Sequence, residues 1–173
     1  INGFESYLSN YPKSNKAQLA KTMLDFCNQN IPYQQFDTAF FYFEKQDLEI
    51  ATKWINMASE SADSSLLSEI ILYKQNLATS MINRAKVSSN IKDMIKLYDI
   101  SYKLAPNYFF VKKELANFYI KMGDSQITNK NYDLAYNYYN KVIEILPNMY
   151  RDVIERHPKL IDGFIVDAEV AYA

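Results

Sequence analysis

The sequence predicts an all-α protein made of antiparallel helix pairs. Apolar residues recur at the three- and four-residue spacing of helices over most of the chain, and no stretch sustains the two-residue alternation of a β-strand. The 173 residues include only 3 glycines and 5 prolines, too few for the many turns of an all-β protein. Because the segments between the helices are short, successive helices are expected to pack antiparallel.

Composition limits the classes of partner and site. Apolar residues make up 49% of the chain and charged residues 23%, which indicates a folded and not a disordered chain. A net charge of −1 supplies no general attraction for nucleic acid or acidic membrane. Cys27 is the single cysteine, which excludes a disulfide framework within the chain. The longest apolar runs, such as residues 39–43, are too short to span a bilayer, so we expect no insertion into a membrane.

Each helix is predicted from the spacing of its apolar residues and from the types of residue at its ends. Ser14 is of the type that caps a helix N-terminus, and residues 28–32 predict a break. Gly123 is expected inside a helix, where glycine is about 1 kcal/mol less favourable than alanine. It therefore indicates a close helix crossing, at which leucine would be disruptive and alanine much milder. The predicted helices cover residues 14–29, 33–45, 47–62, 64–86, a segment around 94–101, 107–129, 131–146, 149–156 and 159–172.

One pattern of residue spacing is found in three copies along the chain. Its fullest copy has landmarks at Tyr119, Met122, Gly123, Tyr132, Ala135, Tyr139, Val142 and Pro147. Two earlier copies keep fewer of these offsets, at Met94, Tyr98, Ser101 and Pro106 and at Ala51, Ile55, Ala58 and Asp63. The equivalent residues Ala51, Met94 and Ala135 lie 43 and then 41 residues apart.

This spacing resembles the tetratricopeptide repeat, a helix–turn–helix unit of 34 residues. The resemblance implies a right-handed α-solenoid over residues 1–150, with a partial first unit and unusually long first helices, and a capping helix region over residues 151–173. Residues 4–14 are similar to repeats of bacterial envelope proteins, which implies the cell envelope or periplasm. The family acts as a binding scaffold, so the resemblance implies a protein or peptide partner.

The resemblance also implies where a partner would bind, since the first helix of each pair lines the concave groove in this family. Carried over to this chain, the groove positions are Phe36, Phe40, Phe43, Asn76, Thr79, Asn83, Lys86, Asn117, Ile120, Asp124 and Ile127. Chaperone-binding members hold a peptide carboxylate with a lysine and an asparagine. Only Asn83 fits that pair here, so we expect no binding of chaperone tails.

No residue set typical of catalysis stands out in the sequence. His157 precedes a proline and is interpreted as a loop residue, and Cys27 as a small buried side chain. There is no glycine-rich phosphate loop and no spacing of metal ligands, so we expect no cofactor, no metal and no enzymatic activity. The aromatic clusters at residues 40–43, 107–110 and 136–140 cannot point all their members inward on a helix. Some of these rings are therefore expected to face a groove, a neighbouring unit or a partner.

The sequence thus predicts a non-catalytic scaffold that binds a protein or peptide on a groove of asparagine and aromatic side chains. Two other classes stay open. A regulatory or sensory domain would change its shape when a peptide or small ligand binds. An enzyme would need a charged or histidine-containing cluster that converges from several units.

Overall fold

The protein is built of α-helices joined by short connections. A computed structural model describes the backbone of residues 2–171 and the side chains of residues 2–163 and 165. Within these residues there is no β-strand, which confirms the all-α prediction. The helices are α1 (Asn2–Asn10), α2 (Ala17–Glu44), α3 (Leu48–Ser61), α4 (Ser64–Val87), α5 (Ile91–Leu104), α6 (Phe109–Thr128), α7 (Tyr132–Ile145), α8 (Tyr150–Ile154) and α9 (His157–Ala171), with a 3-10 turn at Pro147–Met149.

Most helix bounds agree with the sequence prediction to within about two residues. Asp47 caps α3, since its side chain accepts a hydrogen bond of 3.2 Å from the backbone N–H of Ile50. His157, expected in a loop, is instead the first residue of α9. Pro158 fits the first turn of that helix, where its missing N–H would have no partner within the helix.

Helix α2 departs from the prediction. The sequence predicted two helices separated at residues 28–32, but one helix runs through Pro32 without a break. Proline has no N–H to donate to the carbonyl of Asn28, and a proline inside a helix typically costs about 3 kcal/mol or more. Its ring is fully buried in the core. Packing of the ring therefore offsets part of that cost, and the helix continues.

The N-terminus of α2 also differs from the prediction. Helix α2 begins after Lys16, and Ser14 lies in the turn before it. The Ser14 hydroxyl accepts a hydrogen bond of 3.1 Å from the backbone N–H of Lys16 and is hydrogen-bonded to the Tyr7 hydroxyl at 2.7 Å. Ser14 therefore links α1 to the turn and does not cap α2.

The chain divides into two compact units, Ile1–Leu77 and Ala78–Ala173, with the boundary inside α4. In the first unit α2 packs along α3. Ala39 on α2 and Ala51 and Ala58 on α3 are fully buried. These small side chains allow the two helices to approach closely.

The first part of α4 adds an aromatic cluster to this unit. The centroid of the Tyr73 ring lies 5.3 Å from that of Phe36, 5.9 Å from Phe40 and 5.6 Å from Phe43. The Tyr73 hydroxyl donates a hydrogen bond of 3.3 Å to the backbone carbonyl of Ala39. Each such ring pair contributes about 0.5–1.5 kcal/mol beyond its buried area, so the cluster holds α4 against α2.

In the second unit α6 contacts both α5 and α7. Tyr98 of α5 stacks on Phe118 of α6 with the ring centroids 4.5 Å apart. Tyr139 of α7 is fully buried and lies directly over Gly123 of α6. A Cβ atom at Gly123 would overlap that ring, and its distance to Tyr139 Cδ1 would be only 2.9 Å. The close helix crossing expected at Gly123 is therefore confirmed.

The last helix, α9, contacts α6 and α7. Leu160 of this helix is buried. Gly163 forms a second close approach, because a Cβ atom there would overlap the ring of Tyr132 on α7. The sequence analysis did not anticipate this contact.

We expect Gly123→Ala to lower the free energy of unfolding by about 1–3 kcal/mol, because the added methyl group overlaps the buried ring of Tyr139. The sequence-based expectation that alanine would be much milder than leucine there did not include this overlap. Urea unfolding followed by circular dichroism gives the free energy. Gly3→Ala is the matched control, since no atom lies within 4 Å of its Cβ position, and alanine should gain up to about 1 kcal/mol there from helix propensity. Small effects of equal size in both variants would contradict the close crossing.

We also expect the protein to lose stability above about pH 10. Burial raises the pKa of Tyr73, Tyr98, Tyr119 and Tyr139 above its ordinary value. The folded state therefore holds these phenols protonated. These phenols contribute fully to the stability of the fold below the pKa of tyrosine in the unfolded chain, about 10. This stability is lost as the pH rises toward the higher pKa values of the folded state.

Thermal unfolding from about pH 8 to about pH 11 measures this loss. Tyr139→Phe removes one of the titrating groups and should flatten the alkaline decline of the melting temperature. The exposed Tyr136 provides the control Tyr136→Phe, which should leave the decline unchanged. A melting temperature that stays constant throughout this range would contradict the proposed linkage.

Candidate protein-binding surface

The three phenylalanines predicted to bind a partner lie on α2. Phe36 and Phe43 are half-buried against Tyr73, so much of their surface serves the packing of the first unit. Phe40 also touches Tyr73, but half of its side chain is exposed. Of the three, Phe40 offers the largest apolar surface to a partner.

The other predicted groove residues lie on α4 and α6 and differ in exposure. Asn76, Asn83 and Lys86 are exposed, Thr79, Asn117, Asp124 and Ile127 are half-buried, and Ile120 is buried. Ile120 therefore belongs to the core of the second unit. Asn83 and Asn117 present amide groups of the kind that can hydrogen-bond to a peptide backbone.

Lys86 has intramolecular partners in the second unit. Its ammonium nitrogen lies 2.8 Å from Oε2 of Glu114 and 5.7 Å from the centroid of the Phe110 ring. Both charged side chains keep access to solvent, and ion pairs of this kind contribute at most about 1 kcal/mol. A partner can therefore compete for Lys86 without a large loss of stability.

Asp124 belongs to a polar network that joins α6 to α7 and to the turn after α8. Its Oδ1 accepts hydrogen bonds from the Tyr139 hydroxyl at 2.7 Å and from Nε of Arg156 at 2.8 Å. Arg156 also donates to the backbone carbonyl of Asp152. Burial, with the hydrogen bond to Asp124, raises the pKa of Tyr139. Asp124 thus has a structural role, in addition to any contact with a partner.

A line of side chains along α2, all exposed except the half-buried Asn30, was missed in the sequence analysis. Its members follow one another at intervals of four and three residues in alternation, and we call them the α2 stripe: Leu19, Met23, Phe26, Asn30, Tyr33, Asp37 and Phe40. The five apolar members are between 43% and 62% exposed. The spacing alone could have revealed the stripe. The break expected at residues 28–32 concealed it, because it divided the pattern into two short halves.

Tyr33 in the middle of the stripe is held in place by α4. Its hydroxyl donates a hydrogen bond of 3.1 Å to Oδ2 of Asp63, the residue before that helix. The backbone N–H of Leu66 and the Tyr33 hydroxyl both bind the Asp63 carboxylate and lower its pKa. The ring of Tyr33 is therefore positioned at the surface, with its hydroxyl already satisfied.

A groove opens between α1 and α2 beside the N-terminal end of the α2 stripe. Its volume is about 490 Å³. It is lined by Gly3, Phe4, Tyr7, Lys16, Leu19, Ala20 and Met23. Leu19 and Met23 belong to both the groove and the stripe, so the two form one continuous apolar surface with Lys16 as its charged member at this end.

Two further findings apply to the described part of the chain. No group of three or more His, Cys, Asp or Glu side chains there is arranged to hold a metal ion. No helix there combines the length and the apolar character needed to cross a membrane.

Comparison with known proteins gives no match: no family model, no curated protein and no solved structure is significantly similar to this chain.

Proposed function

We propose that this protein is a non-catalytic scaffold that binds a protein partner through the α2 stripe. The observation that carries the proposal is the exposure of five large apolar side chains along one face of a single helix. Large apolar side chains that are exposed together on one surface mark interaction sites. The stripe includes Phe40, which the sequence analysis had already assigned to partner binding.

The shape of the surface favours a helical partner. Side chains at alternating intervals of four and three residues present a narrow apolar line, which is complementary to the apolar face of an amphipathic helix. Phe26, Tyr33 and Phe40 supply aromatic contact area, which is enriched at protein interfaces. The groove beside Leu19 and Met23 can receive a large side chain of the partner.

The raised pKa values in this chain are consistent with a non-catalytic role. The tyrosines with the most strongly raised pKa values, Tyr73 and Tyr139, lie in the two cores, and burial is the largest cause of both shifts. Their perturbation follows from packing and does not require a catalytic role. Asn83 and Asn117 offer polar groups for a separate contact in the second unit.

Selection from a displayed library of random peptides, with the whole chain as bait, tests this function. We expect the enriched peptides to carry apolar residues at helical spacing. Phe26→Asp should weaken their binding at least about tenfold, because it places a charge in the middle of an apolar contact. The melting temperature should stay nearly unchanged, since exposed substitutions usually alter stability by less than about 0.5 kcal/mol.

Leu72→Asp is the matched control, because Leu72 on α4 is exposed to nearly the same degree as Phe26. It should leave peptide binding intact. The double change Asn83→Ala with Asn117→Ala should have a smaller effect than Phe26→Asp. Binding that is lost in the double variant but survives in Phe26→Asp would place the interface on α4 and α6 and refute the role of the α2 stripe.

A further inference from the structure

We infer that the partner of the α2 stripe is the α2 stripe of a second copy of this chain, paired in the antiparallel direction. This inference rests on the proposed function, since it identifies the occupant of the same surface. Three features of the chain support it: the spacing of the stripe, the placement of charge along it, and the groove at one end.

The spacing of the stripe suits a long helix–helix contact. Intervals of four and three residues correspond to a repeat of seven residues, which keeps one apolar line facing a partner helix along its length. Helix α2 has 28 residues, so it is about 42 Å long at 1.5 Å per residue. Two copies of this helix present the same apolar line to each other.

The charges along the stripe favour the antiparallel direction. Lys16 lies two heptads before Asn30 and Glu44 lies two heptads after it, and both charged residues are exposed. Asp37 is a further acidic residue in the C-terminal half. In an antiparallel pair centred near Asn30, Lys16 of each copy lies opposite Glu44 of the other. A parallel pair would place Asp37 against Asp37 and Lys16 against Lys16, which is unfavourable.

The groove between α1 and α2 fits the other end of the same helix. In the antiparallel arrangement, the C-terminal end of the second copy reaches the groove that Leu19 and Met23 line. The exposed rings of Phe40 and Phe41 are the large apolar side chains at that end. The N-terminal end of α2 thus offers an apolar groove beside Lys16. The C-terminal end offers the rings of Phe40 and Phe41 beside Glu44, and these fit the groove and the lysine of a second copy. This self-complementarity is what a two-fold symmetric dimer requires.

Sedimentation velocity of the full 173-residue chain over a wide range of concentration tests the pairing. We expect a reversible monomer–dimer equilibrium. Phe26→Asp should weaken the dimer at least about tenfold, and Leu72→Asp should leave it unchanged. Circular dichroism of each variant checks that the fold is retained. Monomer at every concentration would overturn the inference, while the peptide selection would still decide whether the stripe binds another protein.

A charge exchange tests the direction of the pairing. Lys16→Glu and Glu44→Lys should each weaken the dimer, and the two changes in one chain should restore it. Both single changes stabilise helix α2 itself, because the helix dipole interacts favourably with a negative charge at the N-terminus and with a positive charge at the C-terminus. A weaker dimer therefore cannot be attributed to a weaker helix. Failure of the double variant to recover would overturn the antiparallel arrangement.

Discussion

The continuity of α2 through Pro32 is the constraint on which the first unit depends. A proline within a helix leaves the carbonyl four residues earlier without its usual partner, so the helix persists only where packing compensates. Here the ring of Pro32 is fully buried, and Ala39 on the same helix has no exposed surface. The α2 stripe exists as one line because the helix is continuous across Pro32.

Helix α2 presents apolar residues on two sides. One side packs on α3 and on Tyr73 of α4, through residues such as Phe36 and Phe43. The other side carries the α2 stripe, whose apolar members stay exposed within the described chain, although Phe40 at its end also touches Tyr73. A helix with apolar residues on both sides is typically covered on both, which is the physical reason to assign the stripe to a partner.

The second unit is stabilised by a network of hydrogen bonds that fixes the positions of several polar side chains. Tyr139 fits over Gly123, and its hydroxyl donates to Asp124, which Arg156 also binds. Loss of Asp124 would leave the hydroxyl of the fully buried Tyr139 without its partner, and a buried group is expensive to leave unpaired. This explains why a position expected in a binding groove, Asp124, takes a structural role.

The sequence by itself determined the helical class, most helix bounds and the close crossing at Gly123. The helical class and the helix bounds follow from local apolar spacing, and the crossing at Gly123 follows from the size of a single residue. Of the candidate site, it predicted Phe40 but not the rest of the α2 stripe. Only the tertiary structure decided that α2 continues through Pro32, that Ile120 is buried and that Asp124 binds Arg156. Each of these depends on contacts between residues far apart in the chain, which local patterns do not encode.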